Sequence, residues 1–386
     1  MNVGVDIRTL QIHSRFQGIG QYSRQLLLHL LRQAAAHERF RLFKIKGMPW
    51  GEEEFRGPYE CVDLVRPRAY VRLSELLDWG LAFIDYRRRP LDVLHILSIH
   101  HLSFGYPCPL VLTIEDLIPL VYPDHYLKTG IKHRMLYRLA RRADHIIAIS
   151  RHTRQDILRL LDVPEDRVSV IYLAPDPSCA PLQDPGRLQE IRSRYRLPEE
   201  FILYVGGLAL HDPRKRVDLL LESLAELARI RRGPLQLVLA GKIGQAGEEL
   251  KGLIEKLGIG GRVRLTDYVP PQDLAWLYRA ARVFVFPSSY EGFGLPLVEA
   301  MACGTPTIAF RNSSIPEVVG EGGLLLDEQG PHNAAALAGA IAAVLSDQGY
   351  ADELSRRALR QAAAFSWEKT AAETLEVYRR VAGHGR

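Results

Sequence analysis

The stretch "RVFVFPSSYEGFGLPLVEAMACGTPTIAF", residues 282–310, holds the pattern that decides the fold. Its run "VFVFPS" has strand length, "YEGFG" is a glycine-rich turn, "LPLVEAMACG" has helix length, and "PTIAF" is a second strand. Pro296 suits a first helical position and Gly304 a terminal cap, which brackets the helix. Strand, turn, helix and strand in this order make the repeating unit of a parallel α/β sheet. Two glutamates, Glu291 and Glu299, stand eight positions apart on either side of the helix start.

In an open α/β sheet, ligands bind just beyond the carboxyl end of a strand, and free N–H groups at Gly294 and Leu295 would suit an anion there. A carboxylate beside an anion repels it unless it faces another part of the ligand, so the glutamates are read as acceptors for neutral hydroxyls. A nucleotide-sugar carries both phosphates and hydroxyls. Two other readings stay open on spacing alone. The pair could be the acid and nucleophile of a glycosidase, although those carboxyls flank a bond across a cleft. Alternatively, Glu299 merely complements a helix dipole and Glu291 is a loop residue.

The same alternation of short apolar runs and helical stretches fills the chain. "NVGVDI", "DVLHIL", "LVLTI", "HIIAIS" and "VSVIYL" are the strands expected in the first half. "FILYVGG", "LQLVLAG", "VRLTDYV", "VFVFPS" and "PTIAF" are those expected in the second. Between the two series, "LAPDPSCAPLQDPGRL" holds four prolines and no periodic apolar pattern, which places a linker near residues 175–190. The expected domains are 1–180 and 190–365. Residues 366–386 follow as an amphipathic helix that begins at Ser366, stops near Gly383 and packs back on the first domain. Loops within 47–80 are the expected source of acceptor choice.

At 386 residues, two domains are the default, and 47% hydrophobic with 25% charged residues is the balance of a globular protein. The net charge of +5 lies wholly in residues 1–180, with 25 Lys+Arg against 20 Asp+Glu. Such a surplus suits anionic partners, including an anionic membrane surface, or a solvated face with no partner. No feature points to nucleic acid. Four dispersed cysteines form no CxxC pair, which argues against a disulfide framework and a zinc site. "MNVGVDIRTL" lacks a signal-peptide pattern, and the Ala-rich run "AAALAGAIAAVL" is only 12 residues long, so a cytoplasmic protein is expected.

Two further stretches bear on the site. "FILYVGG" leads through Arg214 and Lys215 into a helix, and two adjacent cations there could clamp a diphosphate, although an exposed "RKR" is also ordinary surface. "QGIGQYSRQLLLHLL" opens a helix with Gly18 and Gly20.

Together these stretches resemble the retaining glycosyltransferases of family 4 (glycosyltransferase group 1). The specific match is "EGFGLPLVE", that family's E-x7-E motif, with "YVGG", "PRKR", "LVLAGK", "VRLTDYVP", "GTPTIA" and "SSIPEVVGEGGLLLD" in the usual order. "GIGQY", "TIEDLIPLVYP" and "ADHIIAISRHTRQDI" resemble its mannosyltransferase-like branch. The resemblance implies a GT-B fold: two Rossmann-like, doubly wound parallel-sheet domains facing a central cleft. It also implies that Glu299 binds the donor's ribose and Glu291 the transferred sugar. Gly292, Phe293, Gly294 and Leu295 would line sugar and phosphates, Arg214 and Lys215 would hold the diphosphate, and Gly207 would lie beside them. Tyr268 and Val269 would lie against the base, and Gly18 and Gly20 would close over the phosphates.

The implied reaction moves a hexose, first mannose from GDP-mannose and next a UDP-sugar, to a hydroxyl of a glycan or lipid-linked glycan. Departure of a nucleoside diphosphate develops negative charge, which fixed cations and helix amides stabilise without a metal or cofactor. No Asp-x-Asp occurs in the chain. One position departs from the family, which commonly has His-Asp where this chain reads Glu115-Asp116. Either Glu115 accepts sugar hydroxyls as that His would, or His100 or His101 replaces it, or the protein is catalytically weak. The rivals to a transferase are a nucleotide-sugar epimerase or hydrolase on the same fold, and an inactive sugar-nucleotide-binding protein.

Overall fold

Strands that read as unbroken apolar runs are those a parallel sheet buries on both faces. The computed structural model describes residues 1–383 except 13, 14, 16, 17, 65–83, 88, 89, 104, 127–130, 182, 183, 211, 213, 232, 245 and 246. Its first sheet contains β1 (Asn2–Asp6), β2 (Arg39–Ile45), β3 (Tyr59–Leu64), β4 (Val93–Ile96), β5 (Leu110–Ile114), β6 (His145–Ala148) and β7 (Val168–Val170). Their order is β3-β2-β1-β4-β5-β6-β7, and every described pairing is parallel. The second sheet contains β8 (Phe201–Val205), β9 (Gln236–Ala240), β10 (Val263–Asp267), β11 (Val283–Phe286), β12 (Thr307–Phe310) and β13 (Leu324–Leu326). Its order is β10-β9-β8-β11-β12-β13, again parallel. In each sheet the order reverses beside the first strand, so the doubly wound α/β class expected from the sequence occurs twice.

By packing, Met1–Leu173 with Ser366–Arg386 form one unit and Ala174–Phe365 the other. Residues 185–190, read as linker, are helical: Pro185–Tyr195 is a helix whose N-cap Asp184 accepts the Arg187 N–H at 2.9 Å. Asp273, almost fully buried, holds that helix down through Arg187 at 2.7 Å, Arg194 at 2.7 Å and the Tyr195 hydroxyl at 2.7 Å.

Three strands, β2, β3 and β13, lie outside the apolar runs singled out above. β2 reads "RFRLFKI" and alternates charge with apolar residues because one face is partly solvated. Its Arg41 and Lys44 pair across to Glu60 at 3.2 Å and Asp63 at 2.6 Å on the edge strand β3. β13 is a three-residue edge. Within the region 47–80 expected to be loops, Tyr59–Leu64 is therefore a strand, while 65–80 lies outside the described residues. No helix among the described residues is long and apolar enough to cross a membrane.

The final helix, Trp367–Gly383, starts one residue after Ser366, whose side chain accepts the Lys369 N–H at 3.2 Å as a cap. It packs on the helix Gly18–Gln33, with Tyr22 and Trp367 rings 6.4 Å apart. Arg379 reaches the buried Glu38 at 2.9 Å. Deeper in, the Tyr378 hydroxyl meets His95 Nδ1 at 2.6 Å, and His95 Nε2 meets Thr113 Oγ1 at 2.8 Å. Burial pushes the His95 imidazole from its usual 6.5 to about 3, so it is neutral in the fold. Because the unfolded chain binds that proton more readily, the stability His95 contributes is present above about pH 6.5 and is lost as pH falls toward 3. Tyr378→Phe leaves Nδ1 unpaired, and we expect it to cost about 1–3 kcal/mol, read as a lower Tm of the full chain at neutral pH. An unchanged Tm would refute the buried-network account of how this helix is held.

Candidate functional site

The loop that follows β11 must turn sharply into the helix Leu295–Ala302, and Gly294 does this at φ +94°, a left-handed conformation that a side chain would strain. Pro296 occupies the second helical position rather than the first, where its missing N–H still costs nothing. The helix closes on Gly304 at φ +74°, with Gly304 N–H on the Met301 carbonyl and Thr305 N–H on that of Ala300, both at 3.0 Å. This paired arrangement satisfies the last carbonyls and ends the helix. Every helix position except half-buried Pro296 is buried, so Glu299, 4% exposed, is a carboxylate set into an otherwise apolar element. The Tyr278 hydroxyl donates to its Oε2 at 3.1 Å.

At the other end of the motif, Lys215 Nζ lies 2.6 Å from Glu291 Oε1, with both side chains largely buried. The ammonium also sits 5.7 Å from the Phe286 ring centroid. Arg214 is clamped by Asp212, Nε to Oδ1 at 3.1 Å and Nη2 to Oδ2 at 2.8 Å. A backbone bond from Ser289 N–H to the Arg214 carbonyl, 2.7 Å, stitches the loop after β8 to the loop after β11. Gly207 is in the same place: its carbonyl accepts the Tyr204 hydroxyl at 2.9 Å, and a methyl there would stand 4.0 Å from Lys215 Cγ. Arg216, at φ +49°, turns the chain into the helix Val217–Ile230 and points to Glu328 at 2.6 Å.

The glycine-rich loop is held from outside. Ser313 Oγ accepts the Glu291 N–H at 3.0 Å, and Ser314 Oγ donates to the carbonyls of Glu291 at 2.9 Å and Phe293 at 3.1 Å. Asn312 Nδ2 donates to the Ser288 carbonyl at 3.1 Å. These residues follow β12; Ser313 and Ser314 open the quoted stretch "SSIPEVVGEGGLLLD" without a role assigned to them, and Asn312, Tyr278 and Asp212 carry no assigned role in the sequence either. "RNSSIP", a run of short polar side chains before a helix, was the available signal.

Of the residues named from sequence, the structure gathers Gly207, Arg214, Lys215, Glu291, Gly292, Phe293, Gly294, Leu295 and Glu299 at the carboxyl ends of β8 and β11. Tyr268, 48% exposed, and buried Val269 follow β10, three places from β11 in the sheet. Gly18 and Gly20 lie in the first turn of Gly18–Gln33, and Glu115 follows β5, all in the other unit. Of the two histidines weighed against Glu115, His101 is buried and its carbonyl accepts from Arg8 at 2.7 Å, while His100 is exposed. Among the described residues no three His, Cys, Asp or Glu side chains converge as metal ligands. Paired cations, acceptor carboxylates and a helix start can together hold a ligand that is anionic in one part and hydroxylated in another.

Comparison with known proteins agrees with this chemistry. The model for glycosyl transferases group 1 matches residues 189–363, and that for glycosyltransferase family 4 matches residues 16–178. The chain is 31% identical over 374 residues to an O-antigen chain mannosyltransferase B of Escherichia coli, covering 94% of this chain and 96% of that one. It is 34% identical over 413 residues to the serotype-specific mannosyltransferase WbdA of Escherichia coli, covering 99% of this chain and 48% of WbdA. Among solved structures, sucrose-phosphate synthase from Thermosynechococcus elongatus superposes with a TM-score of 0.76 at 24% identity, over 98% of both chains. Anabaena Alr3699/HepE in complex with UDP and glucose gives 0.74 at 20% identity, over 98% of this chain and 100% of that one. Those two likenesses speak for the GT-B fold alone. With a relative matched along nearly its whole length and a family model on each half, the chain belongs to the glycosyltransferases of group 1, family 4.

Proposed function

We propose that this glycosyltransferase moves a hexose, mannose from GDP-mannose in the first instance, to a hydroxyl of a growing or lipid-linked glycan, with retention and without a metal. The observation that carries the reading is the Lys215–Glu291 contact beside the helix start that bears Glu299: cation and acceptor carboxylate lie side by side, as a diphosphate joined to a sugar requires. The mannosyltransferase names of the relatives support mannose as the sugar. In this reading Glu299 accepts ribose hydroxyls and Glu291 sugar hydroxyls. Arg214 and Lys215 stabilise the charge that develops on the departing nucleoside diphosphate, aligned before the reaction by Asp212 and Glu291. The basic surplus of residues 1–180, with Arg134, Arg138, Arg141 and Arg142 exposed near one helix, supports peripheral contact with an anionic membrane from the cytoplasmic side.

The test is a transfer assay with GDP-mannose and UDP-sugars in EDTA, with the anomeric configuration of the product read by NMR. Mannose transferred with the donor's configuration is the expected result. Inverted product would overturn retention, and release of free or epimerised sugar at a rate indifferent to acceptor would replace transfer by hydrolysis or epimerisation.

Two substitutions separate the roles. Glu299→Gln weakens hydrogen bonds to a charged acceptor, so donor affinity should fall about tenfold to a hundredfold. Glu291→Gln removes the counter-ion of Lys215, so binding of the nucleoside diphosphate without its sugar should tighten about threefold while sugar transfer falls. Equal losses in both assays for Glu291→Gln would argue against this division of labour.

A further inference from the structure

Glu115 stands at the carboxyl end of β5, near the middle of the first sheet, on the edge where an open α/β sheet receives its ligands. The residue is half-buried, yet its Oε1 is sealed from solvent and has no hydrogen-bond partner. Among the described residues no Lys, Arg or His forms an ion pair with it. Its surroundings are acidic or neutral. Asp116 follows it in the chain and is the charge that acts on it, and the phenols of Tyr22 and Tyr137, from the helices Gly18–Gln33 and Ile131–Ala140, lie within its electrostatic reach. The Tyr22 hydroxyl is already bonded to Thr113 Oγ1 at 2.8 Å, and Thr153, from the helix Arg151–Leu161, reaches only the Glu115 main-chain carbonyl, at 3.3 Å.

With one oxygen sealed and no cation beside it, the charged form of this carboxyl is disfavoured, whereas the uncharged acid is tolerated and adds an O–H donor to its acceptor oxygen. A buried polar atom without a protein partner calls for one, and at the ligand-receiving end of a strand a ligand can supply it. We infer that Glu115 serves as an uncharged carboxylic acid whose buried oxygen is kept for a sugar hydroxyl, either of the donor or of the acceptor. Burial pushes its carboxyl well above the usual carboxylate range, against a hydrogen bond from its own main-chain N–H and with a smaller push from the Asp116 charge, which agrees with that state. The identity of the ligand rests on the glycosyltransfer reading, but the state of the carboxyl does not.

The experiment uses the full chain with Glu115→Gln and Glu115→Ala. Without ligand, a carboxyl whose folded pKa stands above its unfolded value makes the fold lose stability as pH rises past the unfolded value. The Tm of Glu115→Gln minus that of wild type should therefore grow between about pH 5 and pH 8. A difference that stays flat or shrinks over that range would overturn the uncharged state whatever the protein's activity. In the transfer assay, Glu115→Gln, which keeps a neutral donor and an acceptor, should lose no more than about fivefold in kcat/KM and Glu115→Ala at least tenfold. A loss confined to the donor KM assigns the hydroxyl to the donor, and one confined to the acceptor KM assigns it to the acceptor. Equal activity of Gln and Ala variants would mean that the oxygen meets only water, and would overturn the ligand role.

Discussion

β8 lies between β9 and β11, and the chain leaves it on one side of the sheet while it leaves β11 on the other. Two loops that end on adjacent strands but run to opposite faces cannot fill the space between them, and the rest of the second unit is arranged around that gap. The loop after β8 brings Arg214 and Lys215 to it, the loop after β11 brings Glu291, and a backbone bond from Ser289 to Arg214 sets their register. A left-handed Gly294 then starts a helix at the gap, and that helix carries Glu299 on its next turn.

The electrostatics follow from this crowding. Arg214 and Lys215 each have a carboxylate of their own, Asp212 and Glu291, so neither cation is left isolated in a largely dehydrated place. An unpaired charge there would cost several kcal/mol, so the internal pairs are the resting arrangement. In the proposed function an anion would enter by exchange, with phosphate oxygens replacing a carboxylate on the lysine and leaving Glu291 to accept hydroxyls. Ser313, Ser314 and Asn312 tie down the loop, and Tyr278 bonds to Glu299.

Much of this was legible in the sequence, because buried parallel strands are apolar runs and the E-x7-E spacing places one glutamate on each side of a helix start. β2 and β3 were not, since their partly solvated faces mix Arg41, Lys44, Glu60 and Asp63 into the strand pattern. Residues 185–190 hid a helix behind proline and glycine, which at its first turn are permitted rather than disruptive. Glu291, Glu299, Arg214 and Lys215 could be named because the local motif carries them. Tyr278 and Ser314 act across sheet neighbours far apart in sequence, and Asp212 acts by turning back on Arg214, relations that no spacing rule encodes. The departure at Glu115 was visible as a residue type, while its sealed oxygen belongs to the fold.

Binding of a nucleoside diphosphate in the gap between β8 and β11, through protein cations and hydroxyl-accepting carboxylates, can be read in a thermal-shift titration of the wild-type chain with GDP, UDP and ADP in EDTA. A ligand that binds only the folded state adds about 2.7 kcal/mol of stability at 100 times its dissociation constant. A saturating rise in Tm with one of the three, GDP first and undiminished by the chelator, is expected. No rise with any of them would rule out nucleotide binding there, and a rise that vanishes in EDTA would make the site metal-dependent.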